Sequence, residues 1–379
     1  MTDSLAESGI EEGGDGAAAK MVGELAGCKN LTSLSLDFNC GHPRREWSEA
    51  LGDPPLLEDP QYKLTDLTLE SCHEDMIFLK SLSQNTTLKK LNLERALYCI
   101  SRAGWGAFSA YLSNPNCSLQ ELNISENEID NEGLLLLTEG MSQNSSVRII
   151  DMKSMESVGE DGLKADVIGR NERYQKLDIS RNKFHSSTWP ILFKSLGEKC
   201  ILSGELNLCT SSIDNEGIFV LVDRFGTCKT LKVLVLSYTK FIGTSGWKAV
   251  ANFVKESSIL EELDISSCNI NDDFLLDLAS VLSHNKTLKS LDLAWNEKSV
   301  TADGWVTFFD GFQNPERSGL RKVELTSNSI DDEAIPSMVP RLSNMRSLEE
   351  LRLSFNKQIT SSGAQAISNI LRSPTSALK

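Results

Sequence analysis

The chain has 379 residues, of which 40% are hydrophobic and 24% charged, a balance that can build a packed core and argues against a wholly disordered chain. Its 53 acidic against 38 basic residues leave a net charge of −15. That argues against a nucleic-acid or membrane-surface partner, which needs clustered Lys and Arg, and leaves a basic protein or peptide as the partner class it admits.

In chain order, residues 1–20 are rich in Gly, Ala and acid, and their composition predicts disorder. Met1–Ile10 has neither the basic start nor the apolar core of a secretion signal, and no run of 18 apolar residues occurs anywhere. The nine cysteines are odd in number, scattered, and form no CxxC pair. Together these features predict a cytoplasmic chain of reduced, buried thiols with no zinc site. The Asn-x-Ser/Thr sequons, among them Asn85, Asn123, Asn144 and Asn285, are then coincidental.

Residues 21–379 read as a single repeat domain. The pattern L-x-x-L-x-L-x-x-N/C first appears at Leu31, Leu34, Leu36 and Asn39. An insertion at 41–63, with four prolines, Trp47 and Leu51, predicts one short helix and an extended loop. Further copies follow at Leu64–Cys72 and Leu119–Asn127, and then, cleanly, at Leu260–Cys268, Leu288–Asn296, Leu320–Asn328 and Leu348–Asn356. Weaker ones begin at Leu88, Val147, Tyr174, Ser203 and Leu231, which makes twelve. From Leu88 onward the spacings are 31, 28, 27, 29, 28, 29, 28, 32 and 28 residues, with the least regular stretch at 147–200, read here as irregular curvature and not as a domain boundary. Residues 374–379 resemble the lead-in to the strand at Leu119 and predict a truncated thirteenth repeat.

Each copy has a physical logic. The L-x-L core has period 2, so its leucines point into a core and the residues between them point the other way. The Asn or Cys falls where the chain leaves the strand, where a side chain can satisfy freed backbone groups. A helix follows, started by Asp130, Asp214, Asp331 or Thr360 as N-cap behind an isoleucine staple. Alternate repeats carry Thr/Ser-x-x-Gly-Trp instead, as at Ser101–Trp105 and Thr301–Trp305, with a shortened form at Thr244–Trp247. Trp105, Phe108, Trp247, Trp305 and Phe308 are expected in the helix-to-sheet core. Asp272-Asp273 and Asp331-Asp332-Glu333 lie at helix starts and are read as capping groups, not as metal ligands or catalytic acids. Cys72 and Cys268, at the Asn position, are read as structural thiols.

Twelve such copies resemble the leucine-rich repeat family, in particular its ribonuclease-inhibitor-like subclass with repeats of about 28 residues. The resemblance implies an α/β solenoid, a horseshoe with a parallel β-sheet on the concave side and helices on the convex side. The repeat arms of NOD-like receptors and Ran GTPase-activating protein share this pattern, so the resemblance fixes fold more tightly than function.

No nucleophile, metal or phosphate motif is present, and His42, His73, His185 and His284 fall in different repeats. The chain is therefore read as no enzyme, without cofactor, catalytic residue or metal site. Its concave face is the surface expected to act. Carboxylates recur there, including Glu262, Asp264, Asp292, Glu324 and Glu350. Two residues past the last strand leucine stand Phe38, Tyr238, Trp295 and Phe355, either exposed at the rim as anchors or folded inward over the strand ends. The expected protein-binding patch joins Tyr238, Glu262, Asp264, Asp292, Trp295, Glu324, Glu350 and Phe355. Three functions fit: an interaction module taking a partner protein or peptide with a basic surface, the sensor or regulatory arm of a larger intracellular receptor, or a GTPase activator resembling Ran GTPase-activating protein, for which Arg95 and Arg181 lie beyond strand ends but neither is singled out by a motif.

Overall fold

The computed structural model describes residues 28–37, 57, 61–70, 78–97, 100–155, 174–198, 202–312 and 314–372. The N-terminus 1–20, the insertion 41–63 apart from residues 57 and 61–63, and the segment 374–379 lie outside the described residues. The chain divides into two compact units, residues 1–202 and 203–379.

The first unit holds parallel strands β1 (Ser33–Asp37), β2 (Asp66–Glu70), β3 (Lys90–Asn92), β4 (Glu121–Asn123), β5 (Ile149–Asp151) and β6 (Tyr174–Asp178), each hydrogen-bonded to the next. Helices α1 (Phe78–Leu82), α2 (Arg102–Ser113), α3 (Asn131–Gln143) and α4 (Thr188–Glu198) follow strands of this unit. The second unit repeats the plan with β7 (Leu202–Asn207), β8 (Val233–Val235), β9 (Glu262–Asp264), β10 (Ser290–Asp292), β11 (Lys322–Glu324) and β12 (Glu350–Arg352). Its helices are α5 (Asn215–Cys228), α6 (Thr244–Glu256), α7 (Asp272–Leu282), α8 (Ala302–Gly311), α9 (Ile335–Asn344) and α10 (Ser361–Arg372). The leucine triplets stand in register: Leu234, Leu263, Leu291, Val323 and Leu351 pair across five strands. This is the leucine-rich repeat α/β solenoid that the spacing predicts.

Period 2 in the strands gives one buried row of leucines facing the helices, while the residues on either side emerge on the open face. The predicted aromatic core is present: Trp105, Phe108, Trp247, Trp305 and Phe308 are all buried. Trp247 lies 5.3 Å from Phe274 of the following helix, centroid to centroid, so the rings tie successive repeats together.

Where the predicted Asn stands at a strand exit, at Asn127, Asn182, Asn296, Asn328 and Asn356, it holds the turn. Asn296 Nδ2 donates to the carbonyls of Leu293 at 3.0 Å and of Ile265, one repeat earlier, at 3.2 Å. Its Oδ1 accepts from Cys268 N–H at 3.0 Å. Asn328 and Asn356 repeat the arrangement, and Cys268 substitutes its thiol, donating to Leu236 O at 3.0 Å. Burial pushes that thiol up to about 12, so it stays a neutral donor. Asn127 and Asn182 do the same in the first unit. A second ladder, at the helix-to-strand turn, uses three of the sequon residues. Asn85, Asn144 and Asn285 each donate to a carbonyl one repeat earlier, of Leu57, Leu112 and Val254, all at 2.8 Å.

The two repeat types interlock at their helix starts. Asp130 and Asp214 cap as predicted and Ser101 and Thr301 cap in the same way, each accepting from the N–H of the glycine three residues on. Asp331 caps a turn that precedes α9, accepting from Glu333 and Ala334 N–H. The shortened motif differs: α6 is preceded by Gly243, which offers no side chain, and its N–H donates instead to Asn215 Oδ1 at 2.8 Å. The same device recurs with charge. Asp272, behind the cap Asn271, accepts from Thr301 N–H at 3.0 Å and Oγ1 at 2.6 Å in the next repeat, and Asp332 holds Thr360 in the same way. This close approach explains the motif's glycine. A Cβ on Gly304 would lie 2.1 Å from Asp272 Oδ1, and one on Gly363 would lie 2.2 Å from Asp332 Oδ1.

Two stability outcomes follow. Gly304→Ala should cost about 1–3 kcal/mol in denaturant unfolding, and less in an Asp272→Ala background, because the clash is gone; equal cost in both backgrounds would dismiss the interlock. Asn296→Ala removes the partner of the Ile265 carbonyl and of the Cys268 N–H in the core, while Leu293 O keeps Asn328 Nδ2, and should cost about 2–4 kcal/mol by the same measurement.

Candidate functional site

The candidate surface is the open face of the second unit, built by strand register. Asn207, Val235, Asp264, Asp292, Glu324 and Arg352 align across β7–β12 as one row. Two residues earlier, Glu205, Val233, Glu262, Ser290, Lys322 and Glu350 form a second. All five predicted carboxylates are therefore on the rows where the repeat places them, on adjacent strands about 4.8 Å apart.

Their chemistry differs from a simple charged column. Asp264 Oδ1 accepts from the N–H and Oγ of Ser266, at 2.9 and 2.7 Å, and Asp292 Oδ1 accepts from Ala294 N–H at 2.9 Å. Glu324 Oε1 accepts from Thr326 N–H at 3.0 Å. Each carboxylate closes a turn over the backbone two residues on, and each is at least half-buried as a result. Glu324 is buried, and its second oxygen lies 3.6 Å from Arg352 Nη1, whose Nε sits 2.5 Å from Glu350. The expectation of an open acid at Glu324 is thus corrected: Arg352 covers it, because β12 carries a cation in the row where β9–β11 carry acids. Glu262 is exposed, and Asp264 and Asp292 are half-buried. Burial, with Asp264 and Glu324 on either side, pushes Asp292 up to about 6 against the pull of Ala294 N–H and Lys322.

The ring positions follow from the turn itself. Tyr238, Trp295 and Phe355 have φ of 58°, 61° and 61°, the left-handed region. The conformation aims two of these N–H groups at the next repeat, Tyr238 donating to Ser266 O and Trp295 to Thr326 O, both at 2.9 Å. It also throws the side chain off the core: the three rings are 50%, 55% and 69% exposed. Of the two placements open from sequence, the rings take the outward one. The intervening repeats place Ser267 and Ser327 at the same turn, with φ of 54°. Phe38 lies outside the described residues.

Sequence reasoning missed the turn-closing role of the carboxylates, although the strand-exit pattern Asp264-Ile-Ser266 and Asp292-Leu-Ala294 carries that signal. It also missed the alternation of ring and serine. Among the residues weighed for other chemistry, Arg95 sits at the same turn of the first unit and is ion-paired with Glu126. His284 contacts Asn314 and His185 contacts Ser187, in separate units, while His42 and His73 lie outside the described residues. Among the described residues no group of three or more His, Cys, Asp or Glu could hold a metal ion. No helix among them is long and apolar enough to cross a membrane.

Comparison with known proteins matches these repeats. A family model described as leucine-rich repeat fits residues 116–137, 256–273, 284–304 and 344–368. The ribonuclease inhibitor of Mus musculus is 26% identical over 301 residues, which cover 78% of this chain and 64% of that protein. NACHT, LRR and PYD domains-containing protein 14 of Mus musculus is 26% identical over 373 residues, 94% of this chain but 33% of that protein. The chain thus spans under two thirds of the first relative and a third of the second. A solved structure of leiomodin-1 actin-binding site 2 aligns with a TM-score of 0.34 and 14% identity, over 40% of this chain and 85% of that one.

The position of Asp292 gives a pH signature. Its folded value is raised above its unfolded one, so the neutral acid is favoured in the fold, and the associated stability is present below about pH 4 and lost as pH rises through about 6. Asp292→Asn keeps the bond from Ala294 and should be more stable than the wild type at pH 7.5 by about 1 kcal/mol, a figure discounted for solvent screening. The gap should close at pH 4 in thermal or denaturant melts; a gap independent of pH would refute the assignment.

Proposed function

We propose that this chain, a leucine-rich repeat protein of the ribonuclease-inhibitor-like kind, is a non-enzymatic interaction module whose open face in residues 203–379 grips a partner protein or peptide with a basic surface. One observation carries the reading. Tyr238, Trp295 and Phe355 are large aromatic rings held in the left-handed conformation and left half or more exposed. A ring in that conformation costs stability, about 1–3 kcal/mol for a strained residue, and gains little burial here. Such a residue is accounted for by what it binds, and exposed aromatics beside desolvated polar groups are the composition of interface hot spots.

The acids set the partner's sign. Asp264 and Asp292 face the same space with no cation in their own row before Arg352, and Glu262 has none in its row before Lys322. A Lys or Arg brought to Asp292 would lower its raised affinity for a proton, so binding should tighten as pH rises through about 6. Steering by these groups would be salt-sensitive and would appear mainly in the association rate.

A relative named for inhibiting a ribonuclease supports a binding role, and that name is carried to this chain only as the class of action. A second reading is favoured by the alignment of 94% of this chain with one third of a much longer NACHT-containing protein: the chain would then act as the sensing arm of a larger assembly in the cytoplasm. The same face would serve in either case.

The test is capture of partners from cell extract at about 50 and 300 mM salt. The wild type is compared with the triple variant Glu262→Lys, Asp264→Asn and Asp292→Asn, whose asparagines keep the turn-closing bonds. Partners held at low salt should fall at least tenfold with the variant, and an unchanged set would sink the proposal. Trp295→Asn, which suits a positive φ, should leave stability equal or raised by up to about 1 kcal/mol while weakening capture. Loss of stability with retained capture would instead make the ring structural.

A further inference from the structure

Resting on the reading of this face as a protein-binding surface, the geometry points to a specific partner chemistry: a basic, proline-rich segment in the polyproline II conformation, lying across β8–β12 with every third residue on the ring row.

The inference comes from a period. The left-handed turn positions of five successive repeats read Tyr238, Ser267, Trp295, Ser327, Phe355, so ring and small hydroxyl alternate strictly. Adjacent parallel strands are about 4.8 Å apart, which sets the rings at every second strand, roughly 9.6 Å apart. A partner engaging all three must offer equivalent side chains at that interval. A β-strand presents one face every ~6.7 Å, and the middle ring would fall between residues. An α-helix presents equivalent positions every seven residues, about 10.5 Å, and drifts by about 1.8 Å over the two intervals. A polyproline II helix has three residues per turn and a rise of 3.1 Å, so one ridge returns every ~9.3 Å and drifts by only about 0.6 Å.

The chemistry agrees with the spacing. Pyrrolidine rings pack on exposed aromatic faces, and a conformation fixed before binding loses little entropy there. The serines at the alternate positions leave gaps between the rings: Ser327 is buried and Ser267 half-buried. A polyproline II segment has three ridges. With one on the rings, the neighbouring ridge lies over the strands, where exposed Glu262 and half-buried Asp264 and Asp292 meet it. That ridge is therefore Arg or Lys, one residue along from each proline. Arg352, paired with Glu324 and Glu350, reverses the potential at β12. The basic residues accordingly sit over β9 and β10, and only an apolar residue meets Phe355, which fixes the direction of the segment.

The test uses the full chain and three labelled synthetic peptides read by fluorescence anisotropy. The first repeats Pro-Arg-Ala over about twelve residues. The second has the same residues reordered so that no proline follows another at three. The third is a helix-forming basic peptide with Leu at every seventh position. The in-phase peptide should bind at least tenfold more tightly than either of the others. Tyr238→Asn and Trp295→Asn should each weaken it about tenfold and leave the salt-sensitive binding of the reordered peptide unchanged. Ser267→Tyr, which fills a gap, should also weaken it. Equal binding of the reordered or helical peptide, or no binding of the first at millimolar concentration, overturns the inference. In that event, loss of captured partners from the triple charge variant leaves the wider reading standing, and their retention removes both.

Discussion

The fold depends on how a chain leaves a buried parallel strand every 28 residues or so without stranding its backbone. Each exit exposes carbonyl and N–H groups inside a stack where water cannot reach them. A single side chain settles most of this. Asn296, for instance, reaches its own strand end and the preceding repeat at once, and accepts from the Cys268 N–H beside it. Because each such side chain serves two repeats, stacking and turning are one event, and stability is shared between nearest neighbours. Cys268 and Thr239 show the tolerance of the position: either can donate to Leu236 O, but neither makes the full set of bonds that Asn does.

The same exit geometry creates the functional surface. Once the backbone has turned under the Asn, the residue immediately before it takes positive φ, and a large side chain there, as at Tyr238, Trp295 and Phe355, stands exposed. The repeat thus provides one such slot at each of the turns from β8 to β12, and the sequence fills alternate ones with rings. The carboxylate row belongs to the same device. Asp264 and Asp292 are placed by the strand, but they are held and half-buried by the N–H two residues on, so these acids are ordered before any cation arrives. The cost appears in the raised proton affinity of Asp292.

Alternation runs through both sides of the sheet. On the helix side, Asp272 and Asp332 lean into the next repeat at a glycine that leaves them room. On the open side, rings at Tyr238, Trp295 and Phe355 alternate with serines. The structural period of the second unit is therefore two repeats, although the leucines alone have a period of one.

The sequence by itself determined the strands, their register, the burial of Trp105, Trp247 and Trp305 and the caps Asp130 and Asp214, because leucine spacing and capping chemistry are local. It also placed the five carboxylates of the candidate face on their rows, since period 2 allows no other choice. Tertiary structure decided the rest. Whether Tyr238 and Trp295 point out or in depends on φ at a turn whose partner is one repeat away, and whether Glu324 is free depends on Arg352, 28 residues on. The closeness of Gly304 to Asp272, and the half-burial of Asp292, likewise arise only when neighbouring repeats stack. Contacts between repeats are invisible to a pattern read within one.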